Sequence, residues 1–210
     1  MISLSEILHT IAQALMIPCL IILIILMAGA VWQIGDIVVE YIAERRKHKC
    51  DVPQLLRDVH TAGADGLAEL IENSGLLRRQ KKALLELAES RGLPKDTLTA
   101  LAERLLATEE ARNARTTSIT DMIAKLGPMF GLLGTLIPLG PGIVALGQGD
   151  TVTLSESMNV AFDTTIAGVI SAAVASVISH IRKRWYNDDM VSLETLMEAV
   201  LEEVTSDVEG

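Results

Sequence analysis

Three long apolar runs dominate the pattern of this chain. The first, residues 7–35, contains no Asp, Glu, Lys or Arg, and two further uncharged runs cover residues 126–149 and 164–181. A transmembrane helix needs about 20 mostly apolar residues, so each run is long enough to cross a bilayer. The pattern therefore predicts an all-α integral membrane protein with three transmembrane helices and long helical extensions on the cytoplasmic side.

The last two runs are rich in small residues rather than in leucine. Gly131 and Gly134 in the second span, and Gly168 in the third, permit close approach of neighbouring helices. In the third span, small and polar residues form two adjacent stripes, one containing Thr164 and the other containing Thr165. Such stripes are typical of a tightly packed helix interface or of a wetted lumen.

Basic residues predict the orientation of the spans. They follow the first span, precede the second and follow the third, whereas the other span ends carry none. By the positive-inside rule, we expect the N-terminus outside and the C-terminus inside. The predicted segments are an outside N-terminus with the first span (1–36), a cytoplasmic helical region (37–124), the second span (125–142), an outside hairpin (143–157), the third span (158–182) and an acidic cytoplasmic helix (183–210).

Local signals subdivide the cytoplasmic region. Asp51 before a proline predicts a helix start, and Ser74 is a candidate cap for a helix that ends near Gly92. After Pro94 no breaker occurs before the second span, which predicts one continuous helix. We expect the C-terminal segment to continue the third span and to pack on the helix that precedes the second; an acidic solvated tail is the alternative.

Other segments also have alternative interpretations. Residues 14–34 form an apolar part longer than that of a signal peptide and lack a basic leader, so a retained span is favoured. Pro138 and Pro141 are expected to kink or end the second span. Cys19 and Cys50 are not expected to form a disulfide, because one lies inside a span.

Composition limits the possible functions. The net charge of −9 disfavours nucleic acid as a partner. The four histidines are scattered and accompany no nucleophile, metal-ligand or phosphate-binding motif, so we expect neither enzymatic activity nor a metal or cofactor. The lipid bilayer is the expected surroundings.

Two polar side chains in the spans have open roles. Thr135 can bond back to a carbonyl of its own helix or face a pore. Asp163 can cap the third span at the outer surface, or attract cations at a pore mouth.

The motifs around these residues resemble the MotA/TolQ/ExbB proton channel family. Residues 131–135 read Gly-Leu-Leu-Gly-Thr, and residues 161–169 read Ala-Phe-Asp-Thr-Thr-Ile-Ala-Gly-Val. Both are similar to elements in the family's two pore-forming spans, and the predicted topology resembles the TolQ/ExbB branch. Asp163 departs from the pattern, since that position is usually uncharged.

The resemblance implies a homopentamer around a central pore that encloses the single span of an ExbD-, TolR- or MotB-like partner. That partner would supply the essential carboxylate, and protons, or possibly Na+, would pass along it. Thr135 and Thr165 match the family's pore threonines, and Thr164 and Asp163 are further pore-lining candidates. The expected location is the inner membrane, with outside N-terminus and cytoplasmic C-terminus.

Two functional hypotheses follow. The first is a proton-channel or motor subunit that uses the ion motive force to move its partner. The second is a non-conducting oligomeric scaffold or sensor that signals through its cytoplasmic helices. Proton flux with and without the partner separates the two hypotheses.

Overall fold

The computed structural model describes residues 4–42 and 51–209, which form six helices. In chain order they are α1 (Leu4–Ala14), α2 (Met16–Glu40), α3 (Val52–Asn73), α4 (Arg78–Glu89), α5 (Lys95–Gly147) and α6 (Thr151–Glu209). The basic run 45–49, used to predict orientation, and Cys50 lie outside the described residues.

Three helices are long and apolar enough to cross a membrane. They are the segments Glu6–Glu40, Lys95–Gly147 and Thr151–Ser206. This finding agrees with the all-helical membrane fold predicted from the apolar runs. The prediction that the helix starting after Pro94 continues into the second span is confirmed by α5, and α6 confirms that the third span continues into the C-terminal segment.

Local structure differs from the expectations at two places. Pro138 and Pro141 were expected to kink or end the helix; they lie inside α5, which continues to Gly147, so only the expected helix end is wrong. Within a membrane-type helix, neighbouring groups can compensate for the lost backbone donors. The predicted cap at Ser74 is also wrong: Ser74 ends α3, and at the start of α4 the backbone N–H of Leu77 donates instead to Gln80 Oε1 (3.2 Å).

The chain divides into two compact units. The first, called the span unit, contains Met1–Asp36 and Thr117–Ile181; the second, the bundle unit, contains Ile37–Thr116 and Arg182–Gly210. In the bundle unit, α3, α4, the first part of α5 and the last part of α6 share one core, in which Leu67, Leu87 and Leu98 are fully buried. The expected packing of the C-terminal helix on the helix before the second span is therefore confirmed.

Helix ends in the bundle unit follow their sequence signals. Asp51 accepts a hydrogen bond from the Gln54 backbone N–H at the start of α3, as predicted. Gly92, which follows α4, has φ +101°, a left-handed conformation that glycine adopts without strain. A buried ion pair joins the end of α2 to α6: the Nε of Arg182, which is 3% exposed, lies 3.2 Å from a carboxylate oxygen of Glu40.

Candidate functional site

The span unit is built around a tight helical hairpin. Its connection is short: α5 ends at Gly147 and α6 begins at Thr151. Asp150 caps α6 by accepting hydrogen bonds from the backbone N–H groups of Val152 and Thr153 (both 3.1 Å). A hydrogen bond from the Thr153 hydroxyl, together with these two backbone contacts, lowers the pKa of the Asp150 carboxyl. The segment 143–157, predicted as an outside hairpin, is thus mostly the facing ends of two helices.

The two helices approach so closely that glycine is required along their contact. A Cβ on Gly168 would lie 2.5 Å from the carbonyl oxygen of Gly127 and 2.9 Å from Cα of Gly131. A Cβ on Gly134 would lie 2.6 Å from Cβ of Thr164. The structure therefore places all three predicted packing glycines, Gly131, Gly134 and Gly168, in the α5–α6 contact. The same contacts show that the helices are antiparallel.

Thr164 belongs to this contact and not to an open surface. Its side chain is 4% exposed, and its hydroxyl donates to the carbonyls of Val160 and Ala161 (both 2.9 Å). Ser171 and Ala175, on the same stripe, are also buried. The structure therefore places this stripe in a tightly packed helix contact, which is one of the two roles that the sequence left open for it.

Helix α2 covers one side of the hairpin. Leu26 and Ala30 pack against Ile123 of α5 and Ala175 of α6. Cys19 donates from its thiol to the carbonyl of Phe130 (3.4 Å). Among residues 4–42 and 51–209, no other helix covers the opposite side of the hairpin.

Thr135 and Thr165 lie on that open side. Each directly follows a contact residue, Gly134 or Thr164, so its side chain is turned about 100° from the contact. Because the helices run antiparallel, this rotation brings both threonines to the same side of the pair, away from α2. Both are half-buried, and their hydroxyls donate to the carbonyls of Leu132 (2.7 Å) and Ala161 (3.0 Å).

Asp163 is not brought together with these threonines. It precedes Thr165 by two residues, so the two side chains leave α6 about 200° apart. It is exposed, and its side chain makes no hydrogen bond or ion pair with the described residues. The alternative that Asp163 caps the third span is wrong, because α6 begins at Thr151 and the capping carboxylate is that of Asp150.

The end of the span unit that lies away from the hairpin turn has two polar contacts that were not predicted from the sequence. The Thr120 hydroxyl donates to the Gln33 side-chain carbonyl (2.6 Å) and joins α5 to α2. The Ser179 hydroxyl donates to a carboxylate oxygen of Asp121 (2.5 Å) and joins α6 to α5. Gln33 is the one signal that could have indicated the first contact, since an amide in an apolar helix is usually paired.

Comparison with known proteins agrees with this arrangement. The sequence profile of the MotA/TolQ/ExbB proton channel family matches residues 70–195, more than half of the chain. None of the curated proteins compared with the chain shows significant sequence similarity. The matched range includes all of α5 and α6 as far as residue 195, with the contact glycines and both threonines of the open side, and the chain therefore belongs to the MotA/TolQ/ExbB proton channel family.

Proposed function

We propose that this chain is the ion-conducting subunit of an inner-membrane complex in which the ion motive force moves a single-span ExbD-, TolR- or MotB-like partner. Five copies would surround the partner with the open side of each hairpin toward the centre. The observation that carries the proposal is the common orientation of Thr135 and Thr165 on the side that α2 leaves free. The N-terminus would lie outside and the bundle unit in the cytoplasm.

The threonine hydroxyls suit a carboxyl group that changes its protonation. Each hydroxyl donates its proton to a carbonyl of its own helix, which leaves its oxygen lone pairs as acceptors. In that state it can accept a hydrogen bond from a protonated carboxyl group of the partner. To donate to the ionised carboxylate it must first release the backbone carbonyl. The two protonation states thus require different hydroxyl orientations.

Asp163 has a separate role in this proposal. Its carboxylate lies on the α2 side of α6, outside the threonine face, and has no recorded partner among the described residues. We assign it to attracting cations to the outer half of the complex rather than to the central path. Asp163→Asn should lower flux at low ion concentration and leave saturated flux unchanged; equal loss at all concentrations would place it in the path itself.

The central test is proton flux into vesicles that contain this chain and its partner. Thr165→Val and Thr135→Val should each lower partner-dependent flux about tenfold, which corresponds to one hydrogen bond of about 1.4 kcal/mol. Thr165→Ser should restore it. Thr195→Val is the matched control, since Thr195 makes the same back-bond to the Val191 carbonyl (2.8 Å) on α6 beyond the span.

Two results would contradict the proposal. If the double variant Thr135→Val, Thr165→Val conducts normally at normal membrane levels, the hydroxyls only bond to their own helices. If the wild-type chain with its partner shows no flux at all, it is a non-conducting scaffold. Native mass spectrometry in detergent tests the assembly, for which five copies are expected and a dominant monomer would be inconsistent.

A further inference from the structure

The beginning of α4 carries a compact basic surface that the channel function does not explain. Four of its first five residues are basic, and no acidic residue lies in its first turn. Arg78, Arg79 and Lys82 are exposed, and their side chains make no hydrogen bond or ion pair with the described residues. Lys81 differs, since its Nζ donates to the carbonyl of Glu72 (2.7 Å) at the end of α3. Arg78, Arg79 and Lys82 together form the basic surface.

These cations do not serve the stability of their own helix. The N-terminus of a helix carries a partial positive charge, so cations there are unfavourable and acidic residues are preferred. The three residues lie within about 100° of one another around α4, which adds mutual repulsion. The chain as a whole has a net charge of −9. Such a concentration of positive charge is therefore most easily explained by a negatively charged ligand.

Contacts within the bundle unit fix where the basic surface lies. The Gln80 side-chain amide donates to the carbonyl of Asp189 on α6 (3.0 Å). Asp189 is seven residues, about 10 Å along the helix, beyond Arg182, where the apolar run of the third span ends. The start of α4 is thus attached to α6 within two turns of the predicted membrane boundary.

Aromatic residues mark the same level of the bundle unit. The rings of Tyr41 and Trp185 stack with their centroids 6.1 Å apart. Trp and Tyr are enriched where membrane helices cross the headgroup region. Tyr186, the next residue, is within electrostatic range of Arg79, although burial and the nearby Glu40 dominate and raise its pKa to about 12.

We propose that Arg78, Arg79 and Lys82 bind the headgroups of anionic phospholipids in the cytoplasmic leaflet. Basic residues next to a membrane surface are attracted by anionic lipids at about 1 kcal/mol per charge, or about fivefold in affinity. The ligand is then a phosphate-bearing lipid, and its headgroup binds the first turn of α4 at the bilayer surface. This inference does not depend on ion conduction, because it concerns a different surface of the chain.

The test is the lipid selectivity of the full chain in phosphatidylcholine bilayers, measured with spin-labelled phosphatidylglycerol against spin-labelled phosphatidylcholine. The wild-type chain should prefer phosphatidylglycerol, and added salt should weaken the preference. The triple variant Arg78→Gln, Arg79→Gln, Lys82→Gln should lose most of it, up to about fivefold per removed charge at low salt. All three residues are exposed, so the fold should be retained.

A matched triple variant controls for net charge. Arg57→Gln, Lys95→Gln, Arg104→Gln removes the same charge from exposed positions on α3 and α5 and should keep the wild-type preference. Both variants retain the basic run 45–49, so its contribution cancels. An unchanged preference in the first variant, or an equal loss in both, would overturn the proposal. If the first variant keeps the wild-type lipid selectivity but no longer binds an acidic protein partner, the basic surface binds protein and not lipid.

Discussion

Gly168→Ala should separate the two helices of the hairpin. Its new Cβ would lie 2.5 Å from the Gly127 carbonyl oxygen, about 0.9 Å short of an ordinary 3.4 Å contact. The obstacle is backbone of the facing helix, which cannot turn away as a side chain can. The helices must therefore move apart along the contact that orients Thr135 and Thr165.

The magnitude follows from two opposing effects. Overpacking a close contact costs about 1–3 kcal/mol, whereas replacing glycine by alanine within a helix gains up to about 1 kcal/mol. We expect a net loss of about 1–2 kcal/mol. Gly140→Ala is the matched control: Gly140 lies in α5, and a Cβ there would have no other atom within 4 Å. That variant should be as stable as the wild type or slightly more stable.

Thermal unfolding in detergent, followed by loss of the native peak in size-exclusion chromatography, measures the difference. For a chain of this size about 1 kcal/mol corresponds to about 2–4 °C in Tm. Gly168→Ala should melt several degrees below Gly140→Ala and should also conduct less. If both variants melt at the same temperature, the two helices are farther apart in the membrane than these distances, and the orientation inferred for Thr135 and Thr165 is wrong.

The remaining predictions concern the bundle unit and the hairpin turn. Arg182→Ala removes a buried ion pair and should destabilise the chain by about 3–5 kcal/mol, whereas exposed Arg184→Ala should have little effect in the same melt. Leu87→Ala in the bundle core should cost about 2–5 kcal/mol, against less than about 0.5 kcal/mol for exposed Leu93→Ala. The Asp150 carboxylate has a lowered pKa, so its capping contribution is present above its unfolded pKa of about 3.9 and disappears as the pH falls through the lower, folded value. The protection of amides at the start of α6, taken relative to their intrinsic exchange rate at each pH, should therefore fall at acid pH in the wild type, and Asp150→Asn should abolish that pH dependence.

The sequence by itself determined the class of the protein. Apolar runs of sufficient length, interrupted by few charges, specify membrane helices because the bilayer leaves no other way to satisfy the backbone. The absence of breakers after Pro94 predicted the continuous helix α5, and the glycine-threonine motifs indicated the family. The membrane helices and the continuous helix need only local composition and spacing, whereas the family rests on the resemblance of the two motifs to known family elements.

The tertiary structure decided which way each candidate side chain faces. Asp163, Thr164 and Thr165 are consecutive, and all three were candidates for a pore. The antiparallel contact puts Thr164 against Gly134, turns Thr165 to the open side and turns Asp163 toward the side of α2. Neighbouring residues on a helix differ by about 100° in direction, so their roles depend on where the next helix packs, and that position is set by contacts between residues far apart in the chain.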